Sequence, residues 1–114
     1  MTKVKVFAGA CGFYGVIKAR LLEKTRMEVQ VISGCSMLQA MNEDLGVIDW
    51  TRGVFARICD SIVYQSASRR IRHPDCPVPA AIIKAIQVEI GGAVPKGAYI
   101  KFEQAGEEEE EEGE

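Results

Sequence analysis

The sequence is short of the residues on which the best-known sites are built. It has a single histidine and a single tryptophan, and only four cysteines in 114 residues. One histidine excludes a His-rich metal site, and no G-x-S-x-G, P-loop or H-E-x-x-H string occurs. The cysteines, Cys11, Cys35, Cys59 and Cys76, are 24, 24 and 17 residues apart with no C-x-x-C pair, so a zinc ribbon or a thioredoxin-like motif is excluded. No apolar run approaches the roughly 20 residues that span a bilayer. The apolar stretch before Cys11 is only Val6 to Ala10, too short for an ordinary signal-peptide core, and its alternation with Lys3 and Lys5 reads better as a strand. A cytoplasmic protein with reduced thiols and no membrane association is the expectation.

Charge is unevenly placed. Residues 107–114, EEEEEEGE, hold seven of the 16 acids and none of the 14 bases, so residues 1–106 carry a formal net charge of +5 against −2 for the whole chain. A run of like charges without apolar residues cannot offset its ordering entropy, so 105–114 reads as a disordered acidic tail. The remaining 1–104, in a chain that is 47% hydrophobic, suit one domain with one core.

Along that domain the hydrophobic period changes once. Lys3 to Val6 alternates and leads into the small-residue corner Ala8-Gly9-Ala10-Cys11-Gly12. Residues 16–22 fit either a strand or a helix. A strand is favoured, because it puts Ile17, Ala19 and Leu21 on one face and Lys18 and Arg20 on the other, whereas a helix would set the two cations about 200° apart. No capping residue lies between Gly9 and Lys24 to open a helix there. Met27 to Ile32 alternates again, which completes a three-stranded antiparallel meander. Ser36 with Gln39 forms a capping-box pattern before Leu38, Met41 and Leu45, and Gly46 stops that helix. Asp49 is placed to cap a second helix through Trp50, Val54 and Ile58. Asp60 or Ser61 restarts or continues it, and His73-Pro74 ends it. Pro77 and Pro79 open a helix carrying Ile82, Ile83, Ile86 and Ile90. Ala98 to Glu103 alternates as a final strand. The expected class is α+β: a three-stranded meander, three or four helices on one face of the sheet, and a last strand. The glycines at 9, 12 and 15 do not fit a dinucleotide fingerprint followed by a capped helix.

A meander places the ends of its first and third strands at the same sheet edge, so Cys11 and Cys35 are expected near one another, within about 10 Å. Cys35 and Cys76 each precede a predicted helix, where partial positive charge favours thiolate. His73 and Cys76 are three apart and can converge on one ion. The candidate metal set is Cys11, Cys35, Cys76, Cys59 and His73, and zinc or an iron–sulfur cluster is the cofactor such ligands suit. A plainer reading makes the cysteines small core residues, above all Cys59 beside Ile58, and makes His73 a helix-closing residue. On that reading the protein is an interaction module or homodimer whose edge strands pair across chains. A third reading is a thiol enzyme with Cys76 as nucleophile. The basic residues fall in two groups, Lys18, Arg20, Lys24 and Arg26, then Arg69, Arg70, Arg72 and His73. The second suits a helix C-terminus, and nucleic acid is not the expected partner.

CGF at 11–13, SGC at 33–35 and DCPVPAAIIKA at 75–85 together resemble a family of small uncharacterised prokaryotic proteins. The resemblance covers most of residues 3–103. It implies no substrate or activity, and it groups the cysteine-bearing segments as one set.

Overall fold

The computed structural model describes residues 1–104; the acidic tail read from the sequence, 105–114, lies outside them. Four strands form one antiparallel sheet in the order β1-β2-β3-β4: β1 (Thr2–Phe7), β2 (Tyr14–Leu21), β3 (Arg26–Ser33) and β4 (Val47–Asp49). Two short helices, α1 (Ser36–Ala40) and α2 (Asn42–Leu45), lie between β3 and β4. The longer helices α3 (Ile62–Arg70) and α4 (Val78–Glu89) come after β4. The fold is α+β, with a consecutive three-strand meander followed by a helical section.

The meander forms because alternation gives each strand one apolar side. Val4 pairs with Ile17 across β1 and β2, and Ile17 with Val31 across β2 and β3. These residues and their neighbours Ala19, Met27 and Val29 line the covered face, while Lys3 and Lys18 pair on the open face. Helix α4 crosses the covered face over β1 and β2 with Val78, Ile82, Ala85 and Ile86 buried, and α1 and α2 cover β3 with Leu38 and Leu45. Among the described residues, sixteen buried hydrophobic residues form one core.

The helix entrances show which capping signals were right. Ser61 caps α3, its hydroxyl accepting from the Val63 N–H at 3.3 Å and donating to the Val54 carbonyl at 2.8 Å. Pro77 and Pro79 open α4 as expected. The Ser36/Gln39 capping box does not form. Cys35 is the N-cap of α1 and makes no side-chain cap. Gln39 reaches back to β3, where its Oε1 accepts from the Ser33 N–H at 2.8 Å. Asn42 acts similarly, its Oδ1 accepting from the Val31 N–H and its Nδ2 donating to the Val31 carbonyl, both at 2.8 Å. Past the end of β4 these two side chains serve the β3 edge in place of a strand.

Two expected elements are corrected. The helix expected from Asp49 through Ile58 is absent. Val47–Asp49 pairs with β3 instead, and the Asp49 carboxylate accepts from the Thr51 N–H (2.9 Å) and hydroxyl (2.6 Å), closing a turn. Gly53, at φ +88°, then bends the chain toward a 3-10 turn at Ile58–Asp60. The fourth strand therefore comes early, and residues 98–103 are not a strand. They alternate as a strand should but have no pairing partner among the described residues, and alternation alone supplies no backbone hydrogen bonds.

Candidate functional site

Three segments converge at the end of the sheet where β1 stops and β2 starts. Residues 8–13 form the β1–β2 loop, closed by the Ala8 N–H on the Phe13 carbonyl (2.9 Å) and the Gly12 N–H on the Gly9 carbonyl (2.8 Å). Gly9 and Gly12 both have positive φ and open space around their α-carbons, and Cys11 stands exposed between them. The turn from β3 into α1 is fixed by Ser33, whose hydroxyl donates to the Tyr14 carbonyl (2.6 Å) and accepts from the Cys35 N–H (3.1 Å). That turn leaves Cys35 half-buried against the core. The third segment joins α3 to α4 and carries His73, Asp75 and Cys76, the last also half-buried.

Cys11, Cys35, Cys76 and His73 line one pocket of about 50 Å³, walled by Phe13, Leu38 and Ile71. Ile71, His73 and Cys76 also line a second, open cleft of about 470 Å³ that runs beside α3, where Tyr64, Arg72 and Pro79 contribute. Cys76 thus stands between a small, mostly apolar pocket and a larger solvent-facing groove. The expected approach of Cys11 and Cys35 at one sheet edge holds, and Cys76 joins them without any help from a final strand.

The electrostatics differ from the expectation of an activated thiol. Burial pushes the Cys76 thiol above its ordinary value, and the neighbouring Cys11, Cys35 and Asp75 push the same way against the Val78 N–H at the start of α4. The helix-entrance advantage expected for Cys76 is therefore outweighed. His73 Nδ1 is bonded to the Asp75 carboxylate at 2.5 Å, which fixes the ring and leaves Nε2 available. Cys59 belongs neither to this site nor to the core. It is exposed on the 3-10 turn, with its Sγ 3.8 Å from the Asp60 carboxylate. Among the described residues no group of three or more His, Cys, Asp or Glu side chains is arranged to hold a metal ion as it stands.

Most cations of the two basic groups have internal partners. Asp44 on α2 accepts from the Arg70 guanidinium through Nε and Nη2 (3.0 Å each) and from the Ser66 hydroxyl (2.6 Å), with Arg69 at 3.6 Å. The expected helix-cap role is replaced by a clamp between α2 and α3. Arg20 pairs with Glu28 at 2.8 Å, and Arg26 with Glu23.

The model of a family of unknown function, DUF6951, matches residues 2–102. The chain belongs to this family. The match takes in all four cysteines and His73, and so the whole of the thiol pocket. No curated protein and no solved structure matches the chain.

Proposed function

We propose that this member of DUF6951 binds a soft metal through Cys11, Cys35 and Cys76, with His73 Nε2 as the fourth ligand. The reading rests on one observation, that three cysteines from three separate segments line one pocket with the only histidine on its rim. Thiolate and imidazole donors suit zinc or iron. A volume of about 50 Å³ favours a single ion over an iron–sulfur cluster. The Asp75 carboxylate on Nδ1 is the outer partner that metal-binding histidines commonly have.

Closing the shell requires movement, and the loop of residues 8–13 is built to supply it. Cys11 is held by two glycine turns with nothing packed against their α-carbons, while Cys35 and Cys76 are anchored on the core. Metal binding would displace the Cys76 proton that burial retains, so affinity falls as pH drops. The same raised thiol counts against Cys76 as a nucleophile at neutral pH, which makes a thiol enzyme the weaker reading.

Elemental analysis and a visible spectrum of protein purified without oxygen test the proposal. About one zinc or iron per chain is expected, lost when Cys11, Cys35 and Cys76 are changed to Ser and kept in Cys59→Ser. Strong visible absorption with several irons per chain would replace the single ion by a cluster. Folded protein without metal, even after incubation with zinc or ferrous iron, would remove the proposal.

A further inference from the structure

The segment after α4 has an amphipathic pattern with nothing to pack on. Tyr99, Ile100 and Phe102 are 89%, 81% and 95% exposed, far more than large apolar side chains normally are in a folded chain. Residues 98–103 alternate, with Ala98, Ile100 and Phe102 on one side and Tyr99, Lys101 and Glu103 on the other. Within residues 93–104 the one backbone bond outside helices and strands joins the Lys96 N–H to the Val94 carbonyl.

The matching vacancy is on β1. As an edge strand it pairs with β2 alone, so among the described residues one row of its N–H and C=O groups has no strand partner. Its core-side residues Val4 and Val6 are only half-buried, because the apolar row that runs through Ile17 and Val31 ends there with nothing beyond. A strand added at this edge would set Ile100 and Phe102 beside Val4 and Val6 under α4. Tyr99, Lys101 and Glu103 would then continue the open, solvated row of Lys3 and Lys5.

We propose that residues 98–103 of one copy add as a fifth strand to the free β1 edge of a second copy, in a reciprocal homodimer. Each chain carries one donor strand and one acceptor edge, so a two-fold exchange uses both donors and both β1 edges. The chain's own edge is within reach, since the Glu89 carboxylate at the end of α4 accepts from the Thr2 hydroxyl at 2.7 Å and the Leu21 N–H at 2.9 Å. The segment nevertheless stays unpaired on its own chain. This inference does not depend on the thiol site.

Sedimentation equilibrium and hydrogen exchange on the full chain, from about 1 to 100 μM, provide the test. The expected result is a dimer whose formation protects amides in both β1 and 98–103. The double variant Ile100→Asp/Phe102→Asp should weaken it at least about 30-fold. Because both side chains are exposed in the single chain, the variant should keep the circular dichroism spectrum and melting temperature of the wild-type monomer, compared at a concentration below the dimer's dissociation constant. A monomer at 100 μM would overturn the proposal, and so would a dimer unaffected by the double variant or protected elsewhere. A monomer destabilised by the variant would also overturn it, and would assign the segment to its own β1 edge.

Discussion

The Asp44 clamp gives a stability prediction that can be worked through from its geometry. The Asp44 side chain is 14% exposed and takes three hydrogen bonds, two from Arg70 and one from Ser66, with Arg69 adding charge. Arg70 and Ser66 hold its carboxyl well below the usual carboxylate range, against the opposing effect of burial. Asp44→Asn keeps the shape but removes the charge and turns one acceptor into a donor facing a guanidinium. Charge-assisted bonds contribute about 1.5 to 3 kcal/mol each in net terms. Discounting for the partly exposed Arg70, the substitution should cost about 2 to 3 kcal/mol, or a melting temperature lower by roughly 10 to 20 °C.

The pH dependence has a definite sign. The folded pKa lies below the unfolded value of about 3.9, so the carboxylate's contribution is fully present above that value and is lost as pH falls. The gap between wild type and variant should be constant from about pH 7 to 5 and close progressively below pH 4. Urea unfolding followed by circular dichroism at a series of pH values measures it. A gap under about 0.5 kcal/mol at neutral pH, or one that does not narrow by pH 3, would refute the assignment of this clamp as a main tie between α2 and α3.

Two further substitutions test the fold. Asn42→Ala strips the buried Val31 N–H and carbonyl of their partners and should cost about 2 kcal/mol in the same unfolding assay, with hydrogen exchange faster at Val31 than elsewhere in β3. Gly53→Ala would put a Cβ 3.1 Å from the Ile62 side chain at φ +88°, so a loss of about 1 to 2 kcal/mol is expected, with the melting temperature as readout.

Much of the fold was legible because its signals are local. Alternation marked β1, β2 and β3, and in β2 the placing of Lys18 and Arg20 opposite Ile17 and Ala19 decided correctly between strand and helix. Ser61 and the Pro77 to Pro79 entrance marked the starts of the two longer helices, because capping and proline effects act within a few residues, whereas α3 ends at Arg70, with Ile71 extended, ahead of the expected stop at His73-Pro74. The early strand β4 was not legible. Three residues carry too little periodicity, and Asp49, which closes a turn onto Thr51, offers the same side chain that a helix cap would.

For the site, the meander argument brought Cys11 and Cys35 together from strand direction alone. Cys59 was misplaced, because the helix that would have buried it is a turn. The roles of Arg69 and Arg70 were also hidden, since their partner Asp44 lies on another element more than 20 residues away.

The sequence by itself determined the three strands of the meander and the entrances of the two longer helices, since period and capping are properties of neighbouring residues. Only the tertiary structure decided that Val47–Asp49 rather than residues 98–103 completes the sheet, and that Cys76 meets Cys11 and Cys35. A strand exists by virtue of the edge it pairs with, and a shared pocket by virtue of how the helices pack. Both depend on contacts between residues far apart in the chain.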